Sequence, residues 1–481
     1  MCRSDLKGVA LALALLAQGC ATVPGLPESA TPRPVETLAA DRSLAAERGA
    51  FPDDRWWLAY DDAALDALIQ EGLSQSPDLA AAAARVRMAD AIARQARSAL
   101  LPTLEIDAKA GGRRMSQNQV FPSQFLPDDM FSEAELSGNL SFDIDLWGRN
   151  RKALAAALSE TAAARVDAAQ ARNLLTTAIA RRYFEFQSLN ARIVIARGDQ
   201  QLAAEAEALA ASRVREGIDN SAGLNAARAN AQRARGNLAA LEEAAAFARN
   251  ALSALTGEGP DRGLSIAAAA LPRAGGLAVP ANLPLNLLGR RPDIVSARLH
   301  AEAAAARIGV ARADFYPSIN LSAIAGLQSV GLDKLFESAS RFATLGPAVS
   351  LPLFDGGARA ARYRHAHAAY DEAVARYDTT LVQALRDVAD SVASKRMTTE
   401  RLDAARAEAH ARSEAARLIR MRHKAGLEDR MRLIEAERAA ALSADLLAQS
   451  QANDVLAAIA LTSALGGGFY EAGPSSDGKT P

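Results

Sequence analysis

The residues with the widest chemical repertoire are few. Five histidines occur, and His365 and His367 are the one close pair among them. Two apart on a helix, they point about 200° from each other, which does not suit a shared metal. His300, His410 and His423 stand alone. Gly257-Glu-Gly-Pro260 lacks the spacing of a phosphate-binding loop, and no nucleophile elbow occurs. The expectation is a protein without a catalytic reaction, cofactor or metal.

Polar residues with a different use lie in Ser137–Arg149. Asn139, Ser141, Asp143 and Asp145 alternate with Leu140, Phe142, Ile144 and Leu146, the period of a strand with one wet and one greasy face. Such a polar face suits the lumen of a barrel. Directly after Gly148 the pattern becomes alanine-rich at helical spacing, with no proline between Pro127 and Pro260. A strand is expected to run straight into a very long helix, with Trp147 and Gly148 at the bend.

The elements that position this stretch occur twice. Pro77-Asp78 precedes Pro102 by 25 residues, and Pro292-Asp293 precedes Pro317 by the same interval. Past the strands the offset is 209: Gly148 matches Gly357, Gly217 matches Gly426, and Gly257 matches Gly466. An internal duplication at this scale is a strong architectural signal. The first repeat is placed at 56–263, with a helix at Asp61–Leu100, strands at about 103–115 and 134–147 and a helical hairpin at 149–256. The second is placed at 285–466, with strands at about 318–329 and 343–354 and a hairpin at 358–464. Residues 264–284 link the copies, and 467–481 form a tail. The first hairpin's opening helix, read as Arg149–Glu216, has 68 residues, roughly 100 Å at 1.5 Å per residue. Leu175, Ile179, Arg182, Phe186, Leu189 and Ile193 step along it by four and three, a coiled-coil seam broken by Arg182.

Four strands of about ten residues or more are long enough to cross a hydrocarbon core when tilted. Four strands also leave two open edges, which lipid cannot satisfy, so the barrel has to be shared between chains. Closed barrels need at least about eight strands, so a dimer is the minimum and a trimer of twelve strands is comfortable. Eight of 13 phenylalanines (Phe121, Phe125, Phe131, Phe142, Phe315, Phe336, Phe342 and Phe354) fall in the two strand windows, as interfacial girdles require. The fold class expected from the residues is mixed and mainly α: a duplicated strand-pair and long-helix unit whose shared transmembrane β-barrel is continued by a hollow helical cylinder.

Charge and cysteine usage agree with export. The formal net charge is −1, without the clustered positive charge of a nucleic-acid surface. The cysteines are Cys2 and Cys20, so the mature chain has no disulfide framework. Arg3 and Lys7 precede an apolar run at 8–17 that is too short for a membrane span and right for a signal peptide at 1–19. The run ends Leu16-Ala-Gln-Gly-Cys20, which resembles a bacterial lipoprotein signal, with Cys20 as the acylated residue. Residues 20–55, with five prolines and little periodicity, read as an extended arm from that anchor.

Four motifs carry a wider resemblance: Trp56-Trp57, Phe142-Asp-Ile-Asp-Leu-Trp-Gly-Arg149, Leu287-Leu-Gly-Arg-Arg-Pro-Asp-Ile294 running on to Phe315-Tyr-Pro-Ser-Ile319, and Leu351-Pro-Leu-Phe-Asp-Gly-Gly357. Over nearly the whole mature chain they resemble the TolC-like outer-membrane efflux factors, in the lipoprotein branch that serves resistance-nodulation-division pumps. The resemblance implies a homotrimeric twelve-stranded transmembrane β-barrel in outer-membrane lipid, continued by a periplasmic α-helical barrel, joined by a periplasmic adaptor to an inner-membrane pump and exporting small toxic compounds, antibiotics among them. It implies that the hairpin tips, Gly217-Ile218 and Gly426-Leu427, meet the adaptor, and that a periplasmic gate lies past the second tip at Asp429, Arg432 and Glu435. The barrel-to-helix junctions fall at Trp147-Gly148 and Gly356-Gly357. Two other classes are weighed beside this one: a lipid-anchored periplasmic adaptor, which would show one hairpin rather than two, and a lipid-anchored structural coiled coil. A type I secretion exit channel is the alternative within the conduit class.

Overall fold

The computed structural model describes residues 23–39, 44, 48–116, 129–272, 279–280 and 287–471. The signal segment, Cys20, Phe121, Phe125, much of the linker and most of the tail lie outside them. The described helices and strands are α1 (Ala63–Gln75), α2 (Pro77–Ser98), β1 (Thr103–Arg113), β2 (Phe131–Asp143), α3 (Arg149–Arg215), α4 (Ser221–Leu255), α5 (Pro292–Ala313), β3 (Ser318–Val330), β4 (Arg341–Ser350), α6 (Ala358–Lys424) and α7 (Arg430–Ala464). Both α3 and α6 are unbroken over 67 residues, and α4 and α7 each have 35. The helix expected over Asp61–Leu100 is two helices. Ser76 turns to an extended backbone before Pro77, whose ring disfavours helical geometry in the residue ahead of it.

Two compact units take residues from both sequence copies. The first includes Val86–Ala164 and Ala297–Tyr377 and contains the four-stranded sheet, ordered β1-β2-β3-β4 with every neighbouring pair antiparallel. Its register aligns Leu104, Leu140, Ala323 and Leu345 in one row, and Glu105, Asn139, Ile324 and Thr344 in the next. Directly opposed residues share a face, so one side of the sheet is apolar and largely bare, with Leu104, Ile106 and Leu345 more than 70 % exposed. The other side holds Glu105, Asp107, Lys109, Arg113, Glu133, Glu135 and Asp143. At Gly326 the backbones crowd, since a Cβ there would sit 2.3 Å from the Leu136 carbonyl oxygen. The outer edges of β1 and β4 have no partner strand within the described chain.

Two strand ends differ from expectation. β2 stops at Asp143 because Asp145 adopts a left-handed backbone (φ 48°), although the apolar alternation runs on through Ile144 and Leu146. β4 covers Arg341–Ser350, leaving Leu351–Phe354 beyond it. Phe315, expected in an aromatic girdle, is buried against Ala311, Tyr363 and Ala366 beneath the Arg359 guanidinium. Val23 and Leu26 of the arm pack on the same cluster, and Ala30 N–H donates to Asp371.

The second unit is a helical core around Trp57, Leu65, Ile69, Ile179, Tyr183, Phe184, Leu252 and Ile459. The seam on α3 passes through Tyr183 and Phe184, both fully buried, while Arg182 faces outward and pairs with Glu185. The Trp56-Trp57 motif is structural. Trp57 Nε1 donates to Asp66 at 2.8 Å, and this bond heads the interactions holding the Asp66 carboxyl below its ordinary pKa. The stretch read as a linker is partly packed: Gln187 bridges Ala267 O and Ala269 N, and Arg48–Gly49 pair in parallel with Val279–Pro280.

Candidate functional site: sheet, junctions and tips

On the polar face of the sheet, Asn139 Nδ2 donates to Asp107 Oδ2 at 2.6 Å. Asn320 exchanges hydrogen bonds with Ser141 and accepts from the Phe142 N–H at 3.0 Å. Asn139, Ser141 and Asp143 therefore share one face with Glu105, Asp107 and Asn320. Asp145 does not belong with them. It lies past the strand, and its side chain accepts from the Asn150 and Arg151 N–H groups at 3.0 Å, closing the start of α3. Burial pushes its carboxyl up, but those bonds and the Arg151 guanidinium outweigh burial and leave the pKa below the ordinary carboxylate value.

The two junctions solve one problem with the same residue types. At the first, Trp147 stacks on Tyr316 with centroids 4.7 Å apart and donates its Nε1–H to Pro317 O at 2.7 Å. Gly148 has φ 74°, a left-handed turn that L side chains adopt at a cost. At the second, Asp355 accepts from Gly357 N and Arg359 N and pairs with Arg359 Nε at 2.8 Å, while Gly356 and Gly357 also take positive φ. An aspartate and a first-turn arginine thus clasp the start of each long helix. A cleft of about 310 Å³ at this foot is lined by Asp143, Trp147, Arg149, Tyr316, Asp355 and Arg362.

The tips are also built alike. Ile218 N–H donates to Arg213 O and Leu427 N–H donates to Arg422 O, each at 2.9 Å, with Gly217 (φ 71°) and Gly426 (φ 73°) preceding them. This bond from one residue past a left-handed glycine is a Schellman closure. It leaves Ile218 and Leu427 exposed at the turn. Arg213–Asp219 and Arg422–Glu428 are ion pairs at matching positions, 3.4 and 3.1 Å long. Of the expected gate residues, Asp429 is the N-cap of α7, accepting from Arg432 N at 2.7 Å, as Asn220 caps α4. Arg432 and Glu435 form an exposed ion pair at 3.3 Å.

Sequence reading passed over the charged pairs between α3 and α7: Arg192–Asp445 at 2.8 Å, Asp199–Arg438 at 2.8 Å and Glu205–Arg430 at 2.5 Å. It also passed over the buried Lys395–Asp454 pair at 2.6 Å, joined by Thr399. These partners are 55 or more residues apart, and no local pattern marks them.

Comparison with known proteins gives this arrangement its relatives. The family model described as outer membrane efflux protein matches residues 68–258 and 283–467, one match in each copy. Multidrug resistance outer membrane protein MdtP of Escherichia coli strain K12 is 31 % identical over 456 residues, covering 92 % of this chain and 91 % of that one. The pyoverdine export outer membrane protein OpmQ of Pseudomonas putida is 28 % identical, covering 90 % and 92 %. Among solved structures, the outer membrane protein VceC of Vibrio cholerae superposes with a TM-score of 0.78 at 36 % identity, covering 87 % of this chain and all of that one. By the match to both copies and by the fold, the chain belongs to the outer membrane efflux protein family, a family of outer-membrane channels.

Proposed function

We propose that three copies close their sheets into one barrel in the outer membrane, and that their helical hairpins form a periplasmic duct through which small molecules leave the cell. An inner-membrane pump, most simply of the resistance-nodulation-division type, supplies the energy, and a periplasmic adaptor meets the tips. One observation carries this reading: a four-stranded sheet with one bare apolar face, one charged face and two open edges. Such a sheet is stable in lipid only when copies close it. The names of the relatives, for multidrug resistance and pyoverdine export, support small-molecule cargo.

Placement in the fold supports the finer assignments. Gly217-Ile218 and Gly426-Leu427 are the adaptor-facing points, offering an exposed apolar residue on a rigid turn. Arg432 and Glu435 are the gate candidates, whereas Asp429 is committed to its cap. Cys20 is the candidate for acylation, and Val23, three positions further along the chain, packs beside Phe315 and Tyr363.

The purified trimer should conduct in planar bilayers, and the absence of any conducting state would count against the duct. Removing residues 215–221 and 424–430 should abolish crosslinking to the adaptor while leaving trimers intact. Retained crosslinking would refute the tip assignment.

A further inference from the structure

The open edges of the sheet determine how copies must meet, a question that rests on the shared-barrel reading above. β1 and β4 run antiparallel to each other across the sheet, so β4 of one chain and β1 of the next also pair antiparallel. Residues on the apolar face have even numbers on β1 (Leu104, Ile106, Ala108, Ala110) and odd numbers on β4 (Ala343, Leu345, Pro347, Val349). Only registers that set an even β1 position opposite an odd β4 position keep one face to lipid all round.

Barrel geometry selects among those registers. The row that starts at Leu104, one residue above the helix-side end of β1, crosses Leu140 and Ala323 and reaches Leu345, five residues above the end of β4. The row climbs as it crosses the chain. Rotational symmetry returns the next β1 to the starting level, so Leu345 must meet a residue higher than Leu104. With strands about 4.8 Å apart and about 3.3 Å per residue, entry at Ile106 tilts the strands by only about 19°. Entry at Ala108 gives about 35° and entry at Ala110 about 46°, against a usual range of about 35–45°. Only the Ala108 register also sets Ser350 flush with Thr103 and pairs every residue of β4 within β1.

We infer that β4 of one copy pairs with β1 of the next in the register Val349–Leu104, Leu345–Ala108 and Ala343–Ala110 on the lipid face, and Ala348–Glu105 and Thr344–Lys109 on the lumen face. The surface is the pair of bare edges, and its partner is a second copy of this chain.

Cysteine pairing on the full chain in outer membranes tests the register. Within one chain the two edges are three strand spacings, roughly 14 Å, apart, so any bond formed is between copies. Directly opposed Cβ atoms lie about 4.5–5.5 Å apart and diagonal ones about 7–8 Å, a difference that direct oxidation can read. The double variants E105C/A348C and K109C/T344C should each give covalent trimers on oxidation. The shifted pair D107C/A348C should give at least tenfold less. Stronger bonding in the shifted pair than in both registered pairs would overturn the register. No bond between copies from any pair, in protein that reaches the outer membrane, would overturn the shared barrel itself.

Discussion

Asp145 and Asp355 show how much of the junction depends on single carboxylates. Each occupies N–H groups that the first turn of a 67-residue helix leaves without a helical partner. Replacing Asp145 by alanine removes a cap and should cost about 0.5–2 kcal/mol, read as a lower midpoint of thermal dissociation in detergent. Because the folded-state pKa of Asp145 is depressed, its contribution is complete above the unfolded carboxyl value of about 3.9 and is lost as pH falls through the folded value. Wild-type protein should therefore lose more stability than Asp145→Asn between pH 5 and pH 3, and equal losses would show that the carboxylate is not the cap. Lys395 and Asp454 pose the opposite problem. Both are about 95 % buried, Thr398 and Thr399 also donate to the carboxylate, and the Tyr60 phenol is pushed up by burial and then by the charge of Asp454. Lys395→Met leaves that carboxylate without its cation and should cost about 3–5 kcal/mol, whereas the double change to Met and Leu should recover most of the loss.

At the scale of elements, the hairpins were legible and the strand ends were not. Helix limits follow from local chemistry: the glycines at 217, 257, 426 and 466 take positive φ at the predicted ends, and proline-free runs lie between them. The end of β2 was misread because apolar alternation persists through Leu146 while the backbone has already turned at Asp145. The α3 seam does break at Arg182, which is exposed, but a regular four-three step passes over the neighbouring aromatic pair, Tyr183 and Phe184, which is buried in the helical core. Long-range pairs such as Glu205–Arg430 leave no trace in spacing at all. Of the expected site, the tip and junction residues were found as motifs, but the role of Asp145 as a cap and the part of Asn320 in bracing Ser141 required the register. The matched tips make one element-level prediction. Gly426→Ala strains a left-handed turn by about 1–2 kcal/mol. It should weaken adaptor crosslinking at that tip while Gly217→Ala weakens it at the other, with trimer stability unchanged in both.

At the scale of the molecule, each chain offers a sheet that is complete in polarity and incomplete at its edges, so assembly and membrane insertion are coupled. Isolated chains would carry two open strand edges into lipid, and the expected intermediate in detergent is a species that is helical but lacks the closed barrel. Circular dichroism recorded beside crosslinking should show the helical signal appearing before covalent trimers do.

The segregation of charge on that sheet has an electrical consequence. Seven of the eight charged residues in the four described strands stand on the polar face, five of them carboxylates, and Arg341 at a strand end is the exception. That is three negative charges in excess per chain, so a closed barrel forms a negatively charged passage. Reversal potentials across a salt gradient should favour potassium over chloride several-fold at about 0.1 M salt, where the screening length is about 10 Å. The preference should fade at about 1 M, where that length is about 3 Å. Replacing Glu105, Asp107 and Glu135 by their amides should bring the permeability ratio towards one, and an unchanged ratio would place the selectivity outside the barrel.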